Sequence, residues 1–361
     1  MQKRKNLILC LPLGASTVLA VASTSLAQWS VTQLQPSTAS RSQASGVTSS
    51  QQVGTSDIGR PRAGLWQSSS NSWVDLHPVA INGQSAAFAT SGTHQVGEVN
   101  ISGFTHASLW SGSAASWIDL NPAGASGSSA RAIAGSQQAG YATVGGTTRA
   151  SLWSGSAGSW VDLHPLGSTQ SEVKGAFGSQ QVGYSIIGGS LHAGMWSATS
   201  SSWVDLAPQG TTGSIAYATT SNVQVGYAAS GGAIHAGLWQ GTAQSWVDLN
   251  PIGASSSVAY AAAGSIQAGF ATIGGIERAS IWSGTASTWE DLSLPLSSFG
   301  AWSSSKAYGA WSDDSFIYVV GYGHNLDTEE DEALLWTRPI PNPASLTACS
   351  LGWFVLFRRR R

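Results

Sequence analysis

Short stretches of alternating apolar and polar residues, separated by small polar turns, follow one another along most of the chain. Residues 128–165 contain one complete set. A run of small residues with one Ile (128–134) precedes QAGYATV (138–144), TTRASLW (147–153) and WVDL (160–163). The second and third stretches are separated by Gly145-Gly146, a pair that tight two-residue hairpin turns accept. The chain has no helical period, so the pattern predicts about four short antiparallel strands in each set.

The set recurs with a nearly fixed period. A pentapeptide close to Ser-Trp-Val-Asp-Leu recurs in steps of 44, 43, 43, 43 and 43 residues, with its Trp at Trp73, Trp117, Trp160, Trp203, Trp246 and Trp289. A second Trp precedes each of these, at Trp66, Trp110, Trp153, Trp196, Trp239 and Trp282. A period of about 40 to 45 residues with four strands is typical of one β-propeller blade.

The number of copies predicts a closed ring. The Gln-x-Gly strand occurs seven times, if Gly321 with Val in place of Gln is counted, and the Trp-terminated strand has a seventh copy at Trp336. The Trp-x-Asp-Leu strand has six copies, and its seventh is WSVTQLQP at residues 29–36, near the start of the chain. We therefore expect an all-β, seven-bladed β-propeller of four-stranded blades over residues 28–338, closed by the N-terminal strand joining the last blade. A linear β-solenoid is the alternative, and it would need capping segments that the sequence lacks.

Charge and cysteine content exclude some classes of protein. The whole chain has a net charge of -2, but seven of its 16 bases lie in the two end segments. The sequence between the end segments therefore has nine basic and 18 acidic residues, which is a net charge of -9. A domain this acidic is a poor nucleic-acid binder. Cys10 and Cys349 also lie in the end segments, so we expect a monomeric domain without a disulfide.

The N-terminal segment, residues 1–27, has the pattern of a secretory signal peptide. Three basic residues precede an apolar core from Leu7 to Ala22, and Ser25-Leu26-Ala27 forms a small-x-small cleavage site. A retained membrane anchor is the alternative interpretation. Either way the sequence predicts that the chain is exported.

The C-terminal segment, residues 339–361, contains Pro341-Asn342-Pro343, an apolar run to Phe357 and four Arg residues. This order resembles the bacterial PEP-CTERM sorting tail, although Asn342 stands where that family usually has Glu. The resemblance implies that the tail is held transiently in the inner membrane. It also implies an exosortase-type processing enzyme as a partner, after which the protein is released or attached to the cell surface. Arg residues that stay on the cytoplasmic side explain the terminal cluster physically.

The repeat itself resembles the HAF-type extracellular repeats of bacteria. His106-Ala107, His192-Ala193 and His235-Ala236 each stand before the Trp-terminated end of a strand, and Asp-Leu and Gln-x-Gly follow. The residue after His-Ala is Ser or Gly here, where the family usually has Phe. The resemblance implies an extracellular repeat fold and no assigned chemistry.

Charged residues recur at fixed places beside the Trp residues. A base lies four residues before each first Trp, at Arg62, His106, Arg149, His192, His235 and Arg278. An acid lies two residues after each second Trp, at Asp75, Asp119, Asp162, Asp205, Asp248 and Asp291. In an antiparallel hairpin these bases and acids share one face, and the small residue facing each Asp leaves room for the base. We therefore predict structural charge pairs; a ring of catalytic or metal-binding groups is the alternative. In the seventh blade, Glu332 and Gln33 replace base and acid together.

The Trp residues have two interpretations as well. Two Trp residues at a fixed register in every blade predict packing between blades. A series of sugar-stacking platforms is the alternative.

The period fails between Trp282 and Trp336, which are 54 residues apart, 11 more than the usual step. The inserted residues provide a candidate binding loop of Trp302, Trp311, Asp313, Asp314 and His324. Aromatic residues beside carboxylates suit a carbohydrate or a Ca²⁺ site, so Ca²⁺ is the one candidate cofactor. The alternative is a closure joint with a solvated acidic turn.

These patterns favour an exported, non-enzymatic surface or extracellular-matrix protein. Its propeller would bind a macromolecule, extracellular polysaccharide or a surface protein. A glycan-acting hydrolase or lyase at the propeller mouth is one alternative, and a facing carboxylate pair in the channel would favour it. The strands starting at Ser85, Ser128, Ser214 and Ser257 should line that channel, and they offer mainly Ala, Ser and Tyr. A purely structural envelope component is the other alternative.

Overall fold

The structure is a computed structural model that describes residues 28–341. The predicted signal peptide and nearly all of the predicted sorting tail lie outside the described residues. Seven antiparallel sheets of four strands each form the blades of a closed ring, as predicted. Between residues 28 and 341, no helix has the length and hydropathy needed to cross a membrane.

Six blades use four consecutive strands in chain order from the channel outward, and the seventh uses three consecutive strands followed by the N-terminal strand as its outermost one. The innermost strands are β2 (Ser42–Val47), β6 (Ser85–Thr90), β10 (Ala125–Ala134), β14 (Gln170–Phe177), β18 (Gly213–Thr219), β22 (Ala254–Ala263) and β26 (Trp302–Ser312). The second strands are β3 (Gln52–Asp57), β7 (Gln95–Ile101), β11 (Gln137–Val144), β15 (Gln180–Ile187), β19 (Gln224–Ser230), β23 (Ile266–Ile273) and β27 (Phe316–Asn325). The third strands are β4 (Pro61–Trp66), β8 (Phe104–Trp110), β12 (Thr147–Trp153), β16 (Ser190–Trp196), β20 (Ala233–Trp239), β24 (Ile276–Trp282) and β28 (Glu330–Pro339). The outermost strands are β5 (Val74–Asp75), β9 (Ile118–Asp119), β13 (Val161–Asp162), β17 (Val204–Asp205), β21 (Val247–Asp248), β25 (Glu290–Asp291) and β1 (Ser30–Gln33).

Short 3-10 helices join the third and outermost strands of six blades. They are Ser70–Ser72, Ala114–Ser116, Ala157–Ser159, Ser200–Ser202, Ala243–Ser245 and Ala286–Thr288. A longer one, Leu294–Phe299, leads into the seventh blade and accounts for part of the inserted sequence. The Gly-Gly hairpins are as predicted, because Gly145 and Gly146 have φ angles of 59° and 79°.

The N-terminal strand closes the ring. Strand β1 pairs antiparallel with β28, from Ser30 opposite Thr337 to Gln33 opposite Leu334. At one end of this pair, Arg338 and Trp29 both bond to Glu290 of the preceding blade. At the other end, Leu34 is fully buried beside Trp66 of the first blade. Residues 28–341 therefore contain every strand of the ring and its closure.

Hydrophobic cores lie between adjacent blades. The cluster around Trp153, for example, joins Leu109 and Leu120 of the second blade to Ala142 of the third. The first Trp of every blade is fully buried in such a cluster, and the second Trp packs at its edge. The predicted packing role of the Trp residues agrees with this arrangement, in which each blade is stabilised by its neighbours.

In each blade the second strand approaches the innermost strand very closely at the Gly of the Gln-x-Gly motif. A Cβ built on Gly226 would overlap the carbonyl oxygen of Ile215 in the innermost strand of the same blade. The six equivalent glycines approach their innermost strands in the same way. Glycine is required here by the distance between the two backbones and not by a positive φ.

Candidate functional site

A β-bulge occurs at the same place in every innermost strand. In β18, for example, the register shifts between Ala216 and Ala218, so that Tyr217 is an extra residue. A bulge turns its extra residue away from the regular alternation of the strand. The residue before each bulge residue is buried, whereas the bulge residue itself is partly exposed. We call the seven bulge residues the mouth ring: Ser45, Phe88, Arg131, Lys174, Tyr217, Tyr260 and Tyr308.

The mouth ring lines a cavity of about 520 Å³ at one end of the central channel. This is the end where turns joining first and second strands, such as Thr220-Ser221, also line the cavity. The volume falls in the range of small-molecule sites, roughly 300 to 1,000 Å³. Because one residue comes from each blade, the ring presents seven side chains of five kinds to one cavity.

Three tyrosines form an aromatic arc on one side of the ring. The ring centroids of Tyr217 and Tyr260 are 4.9 Å apart, and those of Tyr260 and Tyr308 are 5.0 Å apart. A second aromatic residue lies behind each of them at 5.9 to 6.2 Å. These deeper residues are Tyr227, Phe270 and Tyr322, each directly after the Gly of a Gln-x-Gly strand.

Burial keeps the tyrosines of the arc protonated. Desolvation, and to a smaller extent the Glu277 carboxylate, raises the pKa of Tyr260 to about 12. Desolvation also raises the pKa of Tyr217 and Tyr308 well above the usual value of 10.0. At neutral pH the arc therefore presents apolar ring faces and neutral hydroxyl groups, which donate and accept hydrogen bonds.

We predict that alkaline pH destabilises the fold through these tyrosines. Their pKa is raised in the folded state, so their contribution is complete below pH 10 and is lost as the pH rises through the folded pKa. Each tyrosine lowers the protein's free energy of unfolding by at most about 1.4 kcal/mol per pH unit in this range. Denaturant unfolding between about pH 9 and pH 12 measures this slope. Tyrosinate absorbance near pH 10 that corresponds to all eight tyrosines of the folded protein would contradict it.

The other side of the mouth ring is cationic. Lys174 Nζ lies 2.7 Å from Oε1 of Glu172, and Arg131 Nε lies 3.3 Å from the same oxygen. The Tyr184 hydroxyl donates to the second oxygen of Glu172 at 3.2 Å. The Arg131 guanidinium also lies 4.3 Å above the ring of Phe88. The Glu172 side chain is only 8% exposed, so it serves as a buried anchor that fixes both bases.

A second carboxylate, Glu98, has its Oε2 atom 3.7 Å from Arg131 Nη2. Two carboxylates thus lie close to the mouth ring, the number that a glycoside hydrolase would need. In such an enzyme, however, the two carboxyl groups lie across the scissile bond and one carries a proton. Here both lie near the same guanidinium, Glu172 at 3.3 Å from Arg131 Nε and Glu98 at 3.7 Å from Nη2.

The four strands expected to line the channel do offer mainly Ala and Tyr at the mouth, but that expectation left out three residues. Phe88, Arg131 and Lys174 also face the channel, because the bulges re-aim them. The usable signal was that they share one position of the repeat and that the side chain at this position varies between blades. The first six members of the ring follow one another at intervals of 43 residues, and the last follows after 48.

The structure brings all six predicted charge pairs together. The side-chain distances run from 2.6 to 3.0 Å for Arg62–Asp75, His106–Asp119, Arg149–Asp162, His192–Asp205, His235–Asp248 and Arg278–Asp291. The other oxygen of each Asp accepts the backbone N–H two residues further on, as in Asp162 to His164 at 2.8 Å. In the seventh blade Gln33 donates to Glu332 at 3.4 Å. The pairs therefore hold the outermost strand and the loop after it.

The small residue that faces each Asp has a different role from the predicted one. It makes room for the second Trp rather than for the base. A Cβ built on Gly194 would overlap the Trp203 ring, and in that blade Trp196 and Trp203 lie 4.6 Å apart. Where the residue is Ser, its hydroxyl accepts the indole N–H, as Ser151 does from Trp160 at 2.9 Å.

A double-mutant cycle tests whether the pairs stabilise the fold. Arg149 and Asp162 are both 33% exposed, so we expect a coupling energy of only about 0.5 to 1 kcal/mol from Arg149→Met and Asp162→Asn. Asp291 is 8% exposed, so the same cycle on Arg278 and Asp291 should give more than about 1 kcal/mol. Denaturant unfolding of the four variants in each cycle provides the measurement. Coupling near zero in both cycles would contradict a structural role.

The predicted binding loop does not form one site. Trp302 and Trp311 lie at opposite ends of β26, about 30 Å apart along the strand. Trp302 lines a separate cleft of about 300 Å³, whereas Trp311 lines the mouth cavity. His324 lies at the Trp302 end and pairs with Asp331 at 2.9 Å.

The two aspartates of this predicted site belong to a turn. Asp313 accepts the backbone N–H groups of Ser315 and Phe316 between β26 and β27, and Asp314 is exposed beside it. Across residues 28–341 no group of three or more His, Cys, Asp or Glu side chains is placed to hold a metal ion. The inserted residues thus lengthen the seventh blade at both ends.

Comparison of the sequence with protein-family models and with curated proteins finds no match. Solved structures do match the fold. A puromycin-hydrolysing peptidase from Mycobacterium tuberculosis aligns with a TM-score of 0.54 and 11% identity, over 82% of this chain and 54% of the peptidase. TolB from Acinetobacter baumannii aligns with a TM-score of 0.43 and 12% identity, over 71% of this chain and 64% of TolB. A putative TolB from Agrobacterium tumefaciens aligns with a TM-score of 0.44 and 11% identity, over 70% of this chain and 87% of that protein. At these identities the likeness concerns the propeller fold alone.

Proposed function

We propose that this chain is an exported, non-enzymatic surface or extracellular-matrix protein whose propeller binds extracellular polysaccharide at the mouth ring. The observation that carries the proposal is the arrangement of that ring. One side is a continuous arc of three tyrosines, and the other side holds two bases fixed by a buried carboxylate. Ring faces beside a few fixed polar groups are the usual lining of a ligand site.

The tyrosine arc suits a saccharide. Successive ring centroids about 5 Å apart offer a curved surface on which the C–H faces of linked sugars can lie. The hydroxyl groups of the arc stay neutral, so they exchange hydrogen bonds with sugar hydroxyls. A neutral tyrosine with a raised pKa is a poor general base, which favours binding over lyase chemistry.

Export is supported by the sequence of the two ends. The signal-peptide pattern precedes the propeller, and the PEP-CTERM-like tail follows it. Since β1 pairs with β28, both end segments leave the propeller from the same blade. A tail held in the inner membrane by an exosortase-type route would then tether the ring at that blade and leave the other six free.

A glycan array probed with residues 28–341 tests the proposal. We expect binding to one class of polysaccharide, and about a tenfold loss of affinity in Tyr260→Ala, which removes the centre of the arc. Phe104→Ala is the matched control, because Phe104 is an aromatic side chain that is 57% exposed and does not line the cavity. We expect this control to bind like the unchanged protein.

Three outcomes would contradict the proposal. Failure to bind any glycan would argue against polysaccharide as the ligand. If Tyr260→Ala binds glycan normally and Phe104→Ala does not, the binding site does not lie at the mouth. Shortening of the bound glycan during incubation would show that the protein is an enzyme.

A further inference from the structure

We infer that the mouth ring selects acidic saccharides, with Arg131 and Lys174 binding the carboxylate of a uronic acid while the neighbouring sugars lie along the tyrosine arc. The inference rests on the proposed function and names the ligand class of that site. Its basis is the sign of the charges that reach the cavity.

Arg131 and Lys174 are the charged side chains among the described residues that line the cavity. Neither Glu172 nor Glu98 reaches the cavity lining, although both lie within 3.7 Å of Arg131 or closer. The carboxylates therefore sit behind the bases and hold them from the far side. A ligand that enters the mouth meets two cations and three neutral tyrosines.

Both bases keep donors for a ligand. Lys174 has three N–H groups, and Glu172 takes one of them at 2.7 Å. Arg131 has five, of which the Nε group donates to Glu172 and the Nη2 group lies 3.7 Å from Glu98, so the Nη1 group has neither carboxylate as a partner. Their side chains remain 22% and 26% exposed. A bound carboxylate would accept from both bases, and hydrogen bonds between charged groups are about twice as strong as neutral ones.

The surroundings confine an anionic ligand to this place. Between the two end segments the chain has nine bases against 18 acids, so most of the surface repels a polyanion. At the mouth, the charged side chains that line the cavity are the two bases, and their carboxylate partners lie outside the lining. Lys174 precedes Tyr217 in the ring, so a sugar whose carboxylate is held by Lys174 begins the arc that continues to Tyr308.

The test compares two ligands that share their sugar rings, one with a free carboxylate and one with a neutral methyl ester on each ring. Oligogalacturonate and its fully methyl-esterified form have the same sugar rings, and calorimetry gives the affinity of residues 28–341 for each. We expect the charged form to bind at least about tenfold more tightly and its affinity to fall as salt is added.

Lys174→Gln should remove most of this preference while the protein remains folded, because a Gln amide still donates to Glu172. Lys306→Gln is the matched control. It removes a lysine that pairs with Glu277 at 2.9 Å and does not line the cavity. This control should keep the preference for the charged form.

The inference and the proposed function fail in different ways. Equal affinity for both forms, or a preference that survives Lys174→Gln, overturns the inference and leaves polysaccharide binding intact. Binding of neither form, with neutral glycans bound on the array, also overturns the inference alone. If no glycan on the array is bound, both the inference and the proposed function are overturned.

Discussion

Deletion of residues 28–35 is expected to lower the free energy of unfolding by more than about 5 kcal/mol, because it opens the ring. The deletion removes β1, which supplies the fourth strand of the last blade. It also removes Leu34, which is fully buried, and Val31, which packs against a second cluster. Truncating one buried Leu alone costs about 2 to 5 kcal/mol. The edge of β28 would then face solvent and become open to pairing with another chain.

Thermal and denaturant unfolding of the deleted and unchanged proteins provide the measurement. Leu34→Ala and Leu163→Ala form the matched control, because both leucines are fully buried at the same position of the repeat. Similar losses of about 2 to 5 kcal/mol are expected, since the closing blade is packed like the others. Unchanged melting after the deletion, or a near-zero cost for Leu34→Ala alone, would show that closure contributes nothing to stability.

The architecture followed from the sequence because each of its determinants is local or periodic. Gly-Gly pairs specify hairpin turns, and the repeat period shows where in each blade these turns occur. The missing seventh Trp-x-Asp-Leu strand after Trp336, with a similar stretch at residues 29–36, specified the closure that β1 and β28 make. Even the exchange of base and acid in the last blade was informative, because Glu332 and Gln33 do meet.

The bulges could not be predicted in the same way. Each adds one residue to an innermost strand without changing the period, so Tyr217 is spaced like any other position of the repeat. A regular alternation would have pointed this residue toward a neighbouring blade instead of into the channel. The short 3-10 helices could not be predicted either, because a short stretch of small residues is equally compatible with a turn.

The residues of the predicted binding loop do not meet, for a physical reason. We expected function where the repeat fails, and therefore grouped Trp302 with Trp311. An extended strand separates two residues by about 3.3 Å per position, so neighbours in sequence lie far apart in space. The ring does the opposite, since it brings Arg131 and Lys174 together across 43 residues. In a propeller, variation at one regular position carries more information about a shared site than an insertion does.

Gly226→Ala is expected to destabilise the protein by more than about 3 kcal/mol and to weaken ligand binding as well. The added Cβ would overlap the carbonyl oxygen of Ile215 and lie 2.9 Å from Cα of Ala216. These are backbone atoms, so the innermost strand itself would have to move. Tyr217 follows Ala216 and Tyr227 follows Gly226, so the displacement would reach both layers of the aromatic arc.

Gly213→Ala is the matched control for this prediction. Gly213 lies at the start of the same strand, β18, and a Cβ there would come no closer than 3.7 Å to the Cβ of Leu191. We expect a change within about 1 kcal/mol, because Ala fits and restricts the unfolded chain. Denaturant unfolding compares the two variants, and saccharide affinity at a temperature where both are folded compares their sites. Equal stability would show that the two backbones can separate without cost, and the mouth ring would then lose the rigid wall on which its selectivity depends.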